Sequence, residues 1–297
     1  MRKMITTKTV KQETKTIGSW HGFADSLRRL VHFRLGLTGF VIVICFAILA
    51  IGAPYIAPYG ENQQSYAILQ PPSHEHWLGT DSIGRDTLSR IIYGSQVSMS
   101  FGFGVALLSL ALGVFLGSFP GYFGGLIDDI FSRFFDMVLM IPSFFLIVVA
   151  VALFGTNIQM SMLIVALTLW PSNARITRVQ VLTLKTRAYV QASIVSGTGH
   201  VRILFKHILP NGISPVIANS ALQMANAVLI EASLSFLGLS DPNHVSWGTI
   251  IYGAVQNFNA WWLSMAGVTL MILTLGFNFA GDGISYLLTP RLDVTKG

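Results

Sequence analysis

The chain has 297 residues, of which 52% are apolar and only 11% charged, and its mean hydropathy is +0.61. A soluble domain of this size carries about a quarter charged residues, so water-facing globules are excluded and a bilayer is the natural solvent. The net charge of +6 is gathered in two hydrophilic segments between apolar runs, which excludes a nucleic-acid footprint and fits membrane orientation. Residues 1–18 are rich in Thr and Lys and show no apolar periodicity, as a tail would. Over 20–34, Trp20, Phe23, Leu27, Leu30 and Val31 fall at helical spacing, with Arg28 and Arg29 to one side. That pattern predicts an amphipathic helix lying on the membrane surface, the alternative being an extension of the first span.

Residues 35–57 are apolar and bounded by Pro54 and Pro58; they predict the first transmembrane helix. The polar stretch before them is too long for a signal-peptide n-region, so the segment reads as an uncleaved span. The lone cysteine, Cys45, lies inside it and can form no intrachain disulfide. Residues 58–94 form a polar, proline-rich loop. His74, Glu75 and His76 in that loop could touch a metal, but a site needs three or four ligands and a solvated loop is the stronger reading. Asp81, Arg85, Asp86 and Arg90 alternate in sign and read as a surface helix leading into the second span.

Residues 95–290 hold five further helices. The second span is expected over 96–119, where Gly102, Gly104, Gly113 and Gly117 allow close helix approach. The third is expected over 134–154 and the fourth from Ile158, interrupted by Pro171, Asn173 and Arg175. The fifth covers 213–237, the sixth 261–288, and 291–297 is a short tail. Lysine and arginine set the orientation. Segment 1–34 holds Arg2, Lys3, Lys8, Lys11, Lys15, Arg28, Arg29 and Arg34, and segment 171–210 holds Arg175, Arg178, Lys185, Arg187, Arg202 and Lys206. With six spans both basic segments, and both termini, fall in the cytoplasm, and 58–94 is extracytoplasmic. The expected fold is therefore all-α: a polytopic six-helix bundle with an interfacial N-terminal helix, set in a cell membrane.

The stretch "YVQASIVSGTGHVRILFKHILPN" (189–211) is too polar for lipid and too long for a tight helix connection. Ala188 to Val195 can form a short helix, Gly197 and Gly199 permit a reversal, and Val201 to Ile208 resume helical spacing. Pro210 is suited to the first turn of the next membrane helix. Helix, glycine turn and helix make a compact cytoplasmic knob whose small residues suit docking into a partner's groove. Farther on, Asn219, Gln223 and Asn226 stand on one face of the fifth span; they could line a wet substrate path or hydrogen-bond between helices. Glu231 near the outer end reads as a paired or capping acid, and Thr274, Asn278 and Asp282 share a face of the sixth span.

The island resembles the conserved cytoplasmic loop of ATP-binding-cassette importer permeases: an EAA triplet, three residues, glycine, about nine residues, then Ile-x-Leu-Pro. Gln191, Ala192 and Ser193 stand at the triplet, Gly197 at the glycine, and Leu209 and Pro210 at the end. Gln191 departs from the usual Glu, and His207 stands at the Ile position, as in the "HILPN" form of the peptide-transporter branch. "GTDSIGRDTLSRIIYGSQVSMSFG" (79–102), "EASLSFLGL" (231–239), "SWG" (246–248) and "FNFAGDGISYLLTPRL" (277–292) are similar to the dipeptide/oligopeptide (peptide/nickel) C-type permease subunits.

The resemblance implies a non-enzymatic permease subunit importing peptides, or nickel, oligosaccharide or another small solute. It implies a second, B-type permease, one or two cytoplasmic ATPases carrying ATP and Mg, and an extracytoplasmic substrate-binding protein as partners. No cofactor, metal or catalytic residue is expected on this chain, which has no GxxxxGK[ST] loop. Tyr189, Gln191, Ala192, Ser193, Gly197, Thr198, Gly199, His207, Leu209 and Pro210 are the implied ATPase-coupling residues. The rival class is an ion-coupled secondary transporter, against which the scarcity of deep acids weighs (Asp136, Glu231 and Asp282).

Overall fold

A computed structural model of the chain describes residues 33–64 and 67–288. The N-terminal tail, nearly all of the expected surface helix and the tail at 291–297 lie outside the described residues. Those residues form ten helices and, in place of strands, two isolated bridges, Gln64 with Arg85 and Thr80 with Asp86.

Helix α1, Arg34–Ile56, has 23 residues, apolar throughout except Arg34 and Thr38 in its first turns, and is roughly 35 Å long. It ends because Ala57 precedes Pro58 and takes the extended conformation that proline imposes on its neighbour, with ψ 129°. Helix α2, Thr87–Phe123, has 37 residues and begins inside the stretch read as the 58–94 loop. The Asp86 carboxylate starts it by accepting from the Ser89 N–H at 2.7 Å. Gly124 and Gly125, with φ of +71° and +59°, end it.

The expected third span is broken. Helices α3, Gly125–Met140, and α4, Ser143–Phe154, meet at 80°. Pro142 forces Ile141 out of helical geometry, to ψ 127°. Helix α5, Ile158–Lys185, runs straight through the residues that weaken its sequence signal. Pro171 and Asn173 are buried against neighbouring helices, so tertiary contacts satisfy what lipid could not.

Helix α6, Ala188–Val195, occupies the span expected for the first half of the knob. Helix α7, His200–Gly212, follows and contains a π-helical stretch over Ile203–Ile208. That wide stretch stands just before Pro210, whose ring and missing N–H are incompatible with ordinary i→i−4 bonding. Pro210 thus lies inside α7 rather than opening the next span. Helix α8, Ser214–Phe236, starts after a 60° bend and carries Pro215 in its first turn. Helix α9, Trp247–Gln256, is short, and α10, Trp261–Leu288, completes the bundle.

Among the described residues, three helices (α1, α2 and α10) are long and apolar enough to cross a bilayer, or five segments if each bent pair is one span. Helix α5 has the length, with 28 residues, but carries Asn173, Arg175, Arg178, Gln180 and Lys185. Two glycines show how closely the helices pack: a Cβ on Gly117 of α2 would stand 2.8 Å from Ala174 Cα of α5, and one on Gly39 of α1 2.6 Å from Phe279 C of α10.

Contacts sort the helix ends into two groups. At one end Lys185 reaches Tyr122, Phe33 stacks on Tyr286, and Ser214, Pro215, Ser285 and Leu288 line one cavity. This is the knob end. At the other, the loop end, Ile158 bonds Asp241, Gln96 bonds Ala50, and Trp262 bonds Thr80. The described chain therefore begins and finishes at the knob end.

Candidate functional site

The knob is built on two long helices. Val190, fully buried, packs with Ile203, Leu204, Ile208 and Leu209 of α7 against Tyr122 of α2 and Val181 of α5. The Lys185 ammonium donates to the Tyr122 carbonyl and lies 5.4 Å from the centre of its ring, and the Tyr122 hydroxyl meets His200 Nδ1 at 2.9 Å. Close-packed atoms, which deform little, thus seat α6 and α7 on α2 and α5.

Within the knob each expected residue has a definite place. Gly197 has φ +73° and closes α6 in a Schellman arrangement: its N–H donates to Ile194 and the Thr198 N–H to Ser193. No heavy atom lies within 4 Å of a Cβ at Gly197 or Gly199, so the turn is open rather than packed. The Gln191 amide donates to the Lys185 carbonyl at 2.8 Å, satisfying the C-terminus of α5. An ionised Glu at this position could not donate. Ser193 bonds the Tyr189 carbonyl at 2.9 Å, Asn211 bonds the His207 carbonyl at 2.7 Å, and the Tyr189 hydroxyl stands 3.5 Å from that same carbonyl. Leu209 is buried, Thr198 and His207 half-buried, and Ala192 and Pro210 exposed. Ile194, Val195, Val201 and Phe205 stand exposed among Arg187, Arg202 and Lys206, with Val195 at 88% and Val201 at 72%. Exposed aliphatic side chains among arginines suit a protein partner better than lipid tails.

Two members of the polar stripe of α8 join a hydrogen-bond network. Gln223 Oε1 accepts from Ser109 Oγ at 2.7 Å and Asn173 Nδ2 at 2.9 Å, while Gln223 Nε2 donates to the Leu169 carbonyl at 3.2 Å. Asn219 Nδ2 donates to Asn173 Oδ1 at 2.8 Å. Gln223 is buried and Asn219 half-buried, so these amides tie α2, α5 and α8 together. Asn226 is exposed. Asn219 also borders a cavity of about 330 Å³ at the knob end, lined by Ile176, Pro215, Leu222 and Leu288 among others. Two more pairs tie α3 to α5. Asp128 accepts from Arg178 at 2.5 and 2.6 Å, and Asp136 pairs with Arg175, so two of the cations counted in segment 171–210 belong to helix–helix contacts.

The loop end is held differently. Glu231 is buried and accepts from Ser235 Oγ at 2.8 Å and Ser246 Oγ at 2.6 Å. The same Ser246 hydroxyl accepts from the Gly248 N–H at the start of α9. Trp247, fully buried, donates to the Ile91 carbonyl at 2.8 Å, and Gly248 lies against the Ala232 backbone. The "SWG" triplet is therefore a rivet joining α9 to α8 and α2. Asp241 links the loop after α8 to the start of α5. Partial burial pushes its carboxyl up, but hydrogen bonds from the Asn243 and Ile158 backbone and the Asn243 amide outweigh that and hold it below its ordinary value.

Two expectations in the 58–94 stretch are overturned. His76 is not solvated: it is buried, with Nδ1 2.9 Å from Asp86 and its ring beside Tyr59. Asp81, Asp86 and Arg90 are buried as well, so the charge run is a folded cap rather than a surface helix. His74 and Glu75 are exposed, and among the described residues there is no cluster of metal-ligating side chains. Ser109 gave no sequence signal and Asn173 only a break in an apolar run, because one hydroxyl and one amide on separate helices acquire meaning as a network only when brought together. Thr274 and Asn278 bond within α10, and Asp282 is exposed.

Comparison with known proteins adds family relations. Residues 109–294 match the family described as "Binding-protein-dependent transport system inner membrane component". Residues 23–72 match the "N-terminal TM domain of oligopeptide transport permease C". The chain is 38% identical over 270 residues to the dipeptide transport system permease protein DppC of Haemophilus influenzae, covering 87% of this chain and 91% of that protein. It is 35% identical over 273 residues to DppC of Alkalihalophilus pseudofirmus, covering 90% of each chain. It is also 33% identical over 286 residues to the oligopeptide transport system permease protein OppC of Bacillus subtilis, covering 95% and 93%.

Proposed function

This chain belongs to the family of binding-protein-dependent transport system inner membrane components, and on that premise we propose that it is a permease subunit of a peptide importer driven by separate ATPases. The observation that carries the mechanism is the knob: Val190 seats it on α2 and α5, while Ile194, Val195, Val201 and Phe205 remain exposed among basic side chains. In this reading the knob end faces the cytoplasm, consistent with the lysines and arginines of 1–34 and 185–206. Six segments (α1, α2, the α3–α4 pair, α5, α8 and α10) cross the bilayer in this reading, with Asn173, Arg175 and Arg178 of α5 paired to neighbouring helices.

ATP binding draws two ATPases together. Each grips one permease through α6, and the knobs carry that movement into α2 and α5. The path flips between inward- and outward-facing states because the ATPase contacts differ between them. A second, B-type permease completes the path. Asn226, on the exposed side of α8, and Asn219, at the 330 Å³ cavity, are the polar groups we assign to it. A binding protein delivers peptide at the loop end. Peptide is favoured over nickel, oligosaccharide and other cargo because the similar permeases are named for dipeptide and oligopeptide transport.

The test is energised uptake with a crosslink. Labelled dipeptide uptake by the reconstituted complex should require ATP and survive an uncoupler, and Val195→Cys should crosslink to the ATPase. Uptake driven by an ion gradient without ATP, or labelling of Val195→Cys only from outside intact cells, would overturn the reading.

A further inference from the structure

The cap at the loop end contains a buried cation without an acceptor. Arg90, in the first turn of α2, is 5% exposed, and its Nε and Nη1 have no hydrogen-bond partner. Asp81 is its nearest carboxylate, at 3.6 Å from Nη1, too far for a hydrogen bond. The Asp81 oxygens already accept from the Ile83 N–H at 3.0 Å, the Arg85 N–H at 2.9 Å and Arg85 Nε at 2.8 Å. One turn away Thr87, fully buried, has a hydroxyl that also lacks a partner. Arg90 and Thr87 line a single cavity of about 50 Å³, bordered also by Asp81 and Arg85 and by Thr249 and Gly253 of α9.

Three orphaned donors in one cavity are not a packing accident, since each buried donor left unsatisfied costs about 1–3 kcal/mol. The space exceeds the roughly 10–15 Å³ that one water needs. Two arginines line it against one aspartate, so a guest with negative charge is favoured over a neutral one. The carboxylates of Asp86 and Glu61 temper that charge but supply no acceptor inside: Asp86 is taken by His76 and Ser89, and Glu61 by the Val245 N–H. The start of α2 adds favourable potential for an anion. We infer that Arg90 and Thr87 form a binding site for a small monovalent anion, of the size of a halide or a single carboxylate group. Its occupant joins the start of α2 to α9, two elements that otherwise meet through the Trp247 rivet. The carboxylate could be a free ion or the terminus of a peptide; the recognising chemistry is the same.

The test uses the full-length chain purified with its co-purifying subunits in chloride-free gluconate buffer. Bromide or formate is titrated at constant ionic strength while thermal unfolding is followed. The site predicts a saturable rise in melting temperature of about 2–4 °C. It also predicts bromide density beside Arg90, and loss of both in Arg90→Gln. Thr87→Val removes one hydroxyl at nearly constant volume and should weaken the response several-fold, which guards against misfolding of the arginine variant. A shift produced by a free-acid dipeptide, but not by its C-terminal amide, formate or bromide, assigns the carboxylate to the peptide and supports the site if Arg90→Gln abolishes it; the same shift retained in Arg90→Gln would overturn the site. Equal responses in wild type and both variants, no response to any anion, or density for water alone beside Arg90 would overturn it. None of these outcomes bears on whether the knob binds an ATPase, so failure here leaves the functional reading standing.

Discussion

The two ends of the bundle handle surface and charge in opposite ways. At the knob end apolar side chains are displayed and basic ones surround them, over an anchor of buried Val190, Ile203 and Ile208. At the loop end charged and aromatic groups are buried, with His76 on Asp86, Glu231 on Ser246, and Trp247 on the Ile91 carbonyl. The knob leaves its apolar contacts unused, whereas the cap buries its polar groups and pairs most of them, Arg90 and Thr87 excepted. Changes at the loop end should therefore read out as stability, and changes on the knob's outer face as coupling.

The largest expected effect is at the rivet. Trp247→Ala should destabilise the chain by about 3–5 kcal/mol, through loss of packing against Phe46 and of the bond to Ile91. Thermal unfolding of the purified chain would show it, while folded protein should still crosslink to the ATPase through the knob. A crosslink lost in proportion to nothing but folding would keep the comparison; a crosslink lost from folded protein would break it. Next comes Gly197→Val, which puts a β-branched residue at φ +73° at a local cost of about 1–2 kcal/mol. Since no atom crowds the position, bundle melting should hardly move, yet ATP-driven uptake should fall several-fold. Gly197→Asn, tolerant of that conformation, should restore most uptake.

A smaller effect is expected at Asp241. Its folded value is lowered, so the stabilisation it lends is present above the unfolded value and is lost as pH falls through the folded one. Asp241→Asn should cost about 1 kcal/mol at neutral pH and flatten the acid limb of a stability–pH curve, with no change in docking. The smallest is Gln191→Glu. It removes the amide donor to Lys185 and brings a negative charge to the C-terminus of α5, worth about 0.3–1 kcal/mol. Melting should shift by a degree or so, and comparing crosslink yields of the two forms shows whether an acid there meets the ATPase.

Much of the knob is legible in the sequence because its determinants are local. Ala188 to Val195 lacks glycine and proline, and Gly197 sits where a left-handed turn must close a helix. The break at Pro142 is equally local, but an apolar stretch is easily read as continuous, and the 80° bend needs neighbours to stabilise it. The burial of charge within 58–94 is illegible for the opposite reason. Alternating charge looks solvated unless the partners of Asp81, Asp86 and His76 are known, and those partners are fixed by tertiary placement.

By itself the amino-acid order determined the solvent, the approximate positions of the helices and the glycine turn of the knob. Each follows from hydropathy over one helix length or from the backbone preference of a few adjacent residues. Only the tertiary structure decided which polar groups meet: Ser109 with Gln223 and Asn173, Glu231 with Ser246, and Arg90 and Thr87 around one cavity. Hydrogen bonds act over about 3 Å, and separations of up to 184 residues along the chain collapse to that distance only when the helices pack.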